Sequence, residues 1–396
     1  MPPQNKQQGQ ALLVLLLMIS VTASIWLTSL YDEHEVNLLR QQNSMIVLQT
    51  AKTALKGVLI EKNSSATTRP GLPCPDFNND GNYAPPIDTN GNNCKTYRGW
   101  FPWRRVRLDD IRDASNERLW YVVDPAFQIE APNGLNPDVV PTLTLDNKPV
   151  VAILIAPGAP LTGQQRTVND SQADANVSHY LDTRNAMYDA SLPITTLSFY
   201  NGDGNDVLIG ISKEEYFAAI WPKVAMTTRD ILLRFYADPN PAITTEGNYF
   251  PSASALTAIN CGISDTQLTG RLCASVLQAA VLQNNKQQWW LDDEWAKHIY
   301  YAVAADCVNG QNCDGSGSYL TLNTKTQQAV VLGFWGAPLS NGNNICNTAT
   351  GNQVSLRLTQ DICGYFDSVE NTNADAVYQN MKIDAHNNDR FMSFTP

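Results

Sequence analysis

The sequence predicts an α+β protein: a long N-terminal helix, apolar and then amphipathic, carrying an antiparallel-sheet head made of two tandem helix-plus-sheet modules. Three observations predict it. No proline or glycine interrupts the chain from Gln10 to Lys56, so one helix of about 50 residues, roughly 75 Å long, is permitted there. Runs such as LWYVV from Leu119 and VVAILIA from Val150 are rich in β-branched and aromatic residues, which favour strands. Several of these runs recur further on with a nearly constant spacing.

The expected parts are residues 1–9, a short polar leader; 10–50, a helix that is lipid-like in its first half; 51–212, a first helix-plus-sheet module; and 213–396, a second. From Gln7 to Tyr31 no residue is charged, and Ala11 to Tyr31 is long enough as a helix to cross a bilayer. Lys6 precedes this run and Asp32, Glu33 and Glu35 follow it. That bias puts the N-terminus on the cytoplasmic side and the head outside. A cleaved signal peptide is the competing reading, since Val21 and Ala23 form a small-residue cleavage pattern. Against it, Leu38, Leu39, Ile46, Val47, Leu48, Ala51, Leu55, Val58 and Leu59 carry the helical spacing well past that point.

The leader MPPQNKQQG, ending in Gly9 and followed by QALLVLLLMI, resembles the type IV prepilin family, which includes the pseudopilins of type II secretion. The resemblance implies that a prepilin peptidase cuts between Gly9 and Gln10 and that Gln10 becomes the methylated N-terminus. It also implies a single-pass inner-membrane subunit with a periplasmic head, later drawn into a periplasmic or cell-surface filament beside other minor pilins or pseudopilins. Most members carry glutamate five residues after the cut, where this chain has Val14. That glutamate is proposed to neutralise a neighbour's buried amine, an otherwise costly charge. A subunit with nothing above it lacks the need, so the resemblance points to the filament tip and to a non-enzymatic role. The alternatives are a membrane-anchored or secreted binding protein or adhesin, and a hydrolase with an unrecognised site.

The head is read from its internal matches. VAILIAPGAPLTG from Val151 matches AVVLGFWGAPLSN from Ala329, an offset of 178; LWYVV from Leu119 matches IYYAV from Ile299, an offset of 180. YLD from Tyr180 matches YFD from Tyr365, and Asn205 and Asp206 match Asn388 and Asp389. A looser match pairs AKTALKGVLIE then DGNY with TRDILLRFYA then EGNY. The second module opens with EEYFAAIWPKVAMTTRDILLRFY, a helix expected to kink or break near Pro222. The segment RPGLPCPDFNNDGNY and the following GWFPWRRVRLDDIRDASNERLWYVV are similar to a group of large prepilin-like proteins, which supports the family without naming an activity.

Eight cysteines, all beyond the apolar run, point to disulfides in an oxidising compartment. Neighbour pairing would join Cys74 to Cys94, Cys261 to Cys273, Cys307 to Cys313 and Cys346 to Cys363, although spacing alone leaves other connectivities open. No CxxC occurs and there are four histidines, so zinc is disfavoured. The net charge of -11 argues against nucleic acid, which needs a basic footprint.

The acidic loops point to calcium as the expected cofactor. In DFNNDGN, Asp76, Asn78, Asp80 and Asn82 alternate around Gly81, like the opening half of a calcium loop, but the twelfth position is Ile87 rather than glutamate. The competing reading is an Asx turn, whose side chains bond their own backbone. Asp203 and Asp206 in NGDGND form a weaker candidate, more simply a hairpin turn, and the acidic DCVNGQNCDGSG from Asp306 reads first as a stapled loop. No GxSxG or HExxH is present, and His34, His179, His298 and His386 share no motif. Trp100, Phe101, Trp103, Trp289, Trp290 and Trp295 are expected chiefly in the core, with a binding surface as the alternative. Arg104, Arg105 and Arg107 are offered Asp109, Asp110 and Asp113 as partners.

Overall fold

The computed structural model describes residues 6–59, 69–83, 94, 96–129, 131, 134–166, 173–187, 197–202, 204–237, 248–256, 261–262, 265–308, 311, 313–336, 362–366, 368–373, 375–380 and 388–396. Helix α1, Lys6–Leu59, is a single element of 54 residues, about 81 Å at the standard rise. It begins inside the expected leader rather than at Gln10. In its C-terminal half Ser44, Leu48, Ala51, Leu55 and Leu59 recur every three or four residues and are all buried, the stripe a helix presents to a core. They pack on the first sheet. Leu38, Leu39 and Ile46 also keep helical spacing but lie on the exposed side.

The first half of the head contains β1 (Arg98–Trp100), β2 (Trp120–Val123), β3 (Leu143–Leu145), β4 (Lys148–Pro149), β5 (Ala152–Ala156), β6 (Leu197–Phe199) and β7 (Val207–Ile211). Short helices α2 (Ala173–Tyr180) and α3 (Thr183–Ala186) precede β6. An antiparallel four-stranded sheet has the order β1-β2-β5-β7, and β3 lies between antiparallel β4 and parallel β6.

Helix α4, Lys213–Ala237, opens the second half and runs unbroken across Pro222. Its start is a capping box: the Glu215 N–H donates to Ser212 Oγ and the Ser212 N–H to the Glu215 carboxylate. Strands β8 (Thr269–Arg271), β9 (Tyr300–Val303), β10 (Leu320–Leu322), β11 (Lys325–Gln328), β12 (Val330–Phe334), β13 (Val377–Tyr378) and β14 (Arg390–Phe394) follow. Their four-stranded sheet has the order β8-β9-β12-β14, antiparallel, and β10 lies between antiparallel β11 and parallel β13. Strand for strand, the pairing scheme of the first half is repeated.

The repetition extends to side chains. Asn201 clamps both backbone groups of Leu208 in β7, and Asn380 does the same to Phe391 in β14. Asn185 holds Tyr200 by the same two bonds that Asn371 makes to Gln379. Each clamp occupies a polar pair on or beside an edge strand that would otherwise be open to another chain. Gly99 and Gly270 are equivalent for a steric reason: a Cβ would lie 2.5 Å from the Asp76 carbonyl and 2.0 Å from the Ser254 carbonyl. The stretch beginning at Leu72 is thus matched by the one beginning at Phe250, whose N–H groups donate to Phe127 and Cys307 respectively, both at 2.8 Å. This corrects the looser match of DGNY to EGNY, which lie on opposite sides of those two stretches.

One apolar core runs through both halves, from Leu48 on α1 through Trp221 and Trp295 to Phe394. A second, on the outer face of the first sheet, gathers Trp100, Trp120, Val122, Ile153, Ile155 and Tyr180. Disulfides join Cys74 to Cys94, Cys261 to Cys273 and Cys307 to Cys313. Cys363 is also disulfide-bonded, and Cys346 lies outside the described residues.

Candidate functional site

The sharpest contrast in the molecule is along α1. Its large apolar side chains described from Leu12 to Leu27 stand 48 to 67 % exposed. The hydroxyls in this stretch turn inward: Ser20 donates to the Leu17 carbonyl, Thr22 to those of Met18 and Ile19, and Ser24 to that of Ser20. Such back-bonding satisfies polar groups where water is absent. Among the described residues no helix is long and apolar enough to cross a membrane. The expected transmembrane segment, Ala11 to Tyr31, is thus not found among the described residues. The side chains of Gly9 and Gln10 lie outside those described.

Where α1 meets the head its position is set by polar as well as apolar contacts. The Lys52 ammonium donates to the Gly210 carbonyl at 2.8 Å and lies 2.7 Å from Glu215 at the start of α4. Burial, the largest influence on the Glu215 carboxyl, acts to raise it, but Lys52, the Ser212 N–H and Lys56 together hold it below its ordinary range. The Ala114 N–H donates to Ser44 Oγ.

The DFNNDGN loop is an Asx-type turn. Asp76 is buried, its Oδ1 accepting the Asn78 N–H at 3.1 Å and its Oδ2 the Gly81 N–H at 2.6 Å. Asp80 accepts the Asn82 N–H and the Asn78 amide. Gly81 has φ +87°, and a Cβ there would lie 2.4 Å from the Trp103 ring. Burial, the largest influence, pushes the Asp76 carboxyl up to about 6, and the nearby Asp80 adds to it. Calcium needs several oxygens converging on one point. Here the carboxylates serve N–H donors within the loop, and among the described residues no three acidic, histidine or cysteine side chains gather.

Asp203 lies outside the described residues. Asp206 is buried in a polar network: Oδ2 accepts the Asp182 N–H and the Asn185 amide, and the Arg166 guanidinium acts on it as the local positive charge. In the third acidic loop the Cys307–Cys313 bond is the staple, and Asp314 accepts the Ser316 N–H and hydroxyl.

Trp100, Phe101, Trp289, Trp290 and Trp295 are buried, and Trp103 packs against the core. Asp110 takes Arg112 and Arg118 rather than the three expected arginines, while Asp113 accepts backbone N–H groups of Ser115, Glu117 and Gly158. Arg104 lies over the Trp103 ring and Arg105 over Tyr83. His298 is buried 3.6 Å from Asp138, and burial lowers its pKa. His179 offers its carbonyl to Arg166. The side chain of His34 and all of His386 lie outside what is described.

Sequence reasoning missed the joint between the halves. Arg69 donates twice to Asp293, Nε to Oδ2 at 2.9 Å and Nη2 to Oδ1 at 2.8 Å, and also to the Ala131 carbonyl. Asp293 further accepts the N–H groups of Gly134 and Leu135. Nothing local marks a pair so distant in sequence. No family model, no curated protein and no solved structure matches this chain.

Proposed function

We propose that this chain is a non-enzymatic, type IV pilin-like assembly subunit with its place at or near a filament tip. The carrying observation is α1: one helix whose C-terminal half is set into the head and whose N-terminal half presents exposed apolar surface with internally bonded hydroxyls. In this reading the apolar half, extended over Ala11 to Tyr31, anchors the subunit in the inner membrane and then packs against neighbouring subunits. Prepilin peptidase would free Gln10, and Val14 removes the usual glutamate in keeping with a tip position. The head is two copies of one module, a reading supported by the repeated strand order and asparagine clamps. Its disulfides suit an oxidising, periplasmic setting.

N-terminal sequencing and mass spectrometry of the mature protein test this. A start at N-methylated Gln10 supports the proposal. A start at Ser24 would overturn it in favour of a secreted binding protein, because the apolar half would then be gone.

A further inference from the structure

We propose that β14 is a docking edge, which takes an extended segment of a partner protein, bearing an acidic side chain, as a further strand of the second sheet. Each four-stranded sheet has two edges, and three of these four are held. On β1, Asp76 and Trp100 exchange N–H and carbonyl bonds, both at 2.9 Å. On β8, Ser254 and Arg271 do the same at 2.9 and 2.8 Å. On β7, Asn201 holds both backbone groups of Leu208, and the Lys52 ammonium takes the next carbonyl on that side, Gly210, at 2.8 Å. The fourth edge, β14, is closed by Asn380 only at Phe391. Backbone groups of alternate residues in an antiparallel strand point the same way, so those of Ser393 point outward as those of Phe391 do. Among the described residues no hydrogen bond ends on them.

The repeat makes this opening a departure from the chain's own pattern. The two clamps match Leu208 to Phe391, so Gly210 matches Ser393 and Val207 matches Arg390. Where AKTALKGVLIE matches TRDILLRFYA, Lys52 falls on Arg229. That guanidinium lies 3.6 Å from Asp230 and makes no bond to β14 among the described residues. The second change is one of charge. Val207 packs against the main apolar core, whereas Arg390 in its place is a half-buried cation with which no acid pairs among the described residues. Burial lowers the Arg390 pKa, and no neighbouring charge offsets the effect.

Unpaired N–H and carbonyl groups on an edge strand are a template for a further strand, which an extended peptide supplies through its own backbone. A partly desolvated cation beside that template favours a carboxylate on the incoming segment. A second copy of this chain is the poorer occupant. Pairing β14 with β14 about a two-fold axis would bring two Arg390 side chains to the seam, and RFMSF contains no acid to meet them.

Fluorescence anisotropy tests the edge, with the full chain in detergent titrated into a dye-labelled peptide that alternates threonine and valine around one glutamate. Saturable binding is expected. Ser393→Pro removes the outward N–H and leaves the pairing with β12 in place, so it should weaken binding by about tenfold or more. Lysine in place of the peptide's glutamate should weaken binding too, and Arg390→Glu should reverse that preference even if Ser393→Pro fails to fold. No saturable binding, binding unchanged in a folded Ser393→Pro, or the same glutamate preference in Arg390→Glu would each overturn the proposal. So would concentration-dependent dimers that Ser393→Pro abolishes, because they would seat a second copy on the edge.

Discussion

Replacing Asp293 by alanine should do more damage than any surface change, because it strands a buried cation. Arg69 is itself buried, and two of its N–H groups end on Asp293 at 2.9 and 2.8 Å. The same carboxylate receives the Gly134 and Leu135 N–H groups at 2.8 and 3.0 Å. Breaking a buried pair from one side costs about 3–5 kcal/mol. The intact pair contributes much less than that, since burial, the largest influence on Asp293, raises its pKa in spite of Arg69. The double replacement Arg69→Met with Asp293→Leu removes both charges and should lose less than about 2 kcal/mol. Urea unfolding of the full chain in detergent, followed by tryptophan fluorescence, on Arg69→Met, Asp293→Leu and the double variant gives the three differences needed for a double-mutant cycle. A loss below about 1 kcal/mol for Asp293→Ala, or additive losses in the double variant, would refute the claim that this pair is closed off from water and joins the halves.

Three further outcomes are expected. Leu55→Ala should destabilise the head by about 2–5 kcal/mol, because Leu55 is fully buried on the core side of α1, whereas Leu16→Ala should leave the head's melting temperature unchanged; thermal melts of both variants check the contrast. Asp76, with its carboxyl raised to about 6, binds a proton in the folded state that the unfolded chain has released. Stability should therefore fall between about pH 4 and pH 6, by at most about 3 kcal/mol, and Asp76→Asn should flatten that part of a urea-stability profile. Chelator should leave the melting temperature unchanged, since the Asp76 and Asp80 carboxylates already accept N–H groups of their own loop; a clear drop would place calcium in the loop.

Part of this architecture was legible in the chain because it is local or repeated. The α1 helix follows from the lack of breakers between Gln10 and Lys56, and the strands at Trp120, Ala152, Tyr300 and Val330 from β-branched and aromatic runs. The recurrence of GAP and Asn-Asp was visible because two halves built on one strand scheme need the same close approaches: Gly158 meets Asn205 as Gly336 meets Asn388. The match of DGNY to EGNY misled because short turn motifs arise wherever a chain reverses, and their composition carries no pairing information.

By itself the sequence determined the helix, the strand-forming runs that each half repeats, and a chemistry of oxygens and cysteines without a catalytic motif. Tertiary structure decided which of those groups meet. Helical spacing marks Ile46, Val47 and Leu48 alike as apolar positions, yet only docking against β5 and β7 chooses Leu48, Ala51 and Leu55 for burial and leaves Ile46 exposed. Arg69 finds Asp293, and Asp182 finds Asp206, through folding alone, because hydrogen bonding and desolvation depend on distances of a few ångströms that sequence separation does not encode.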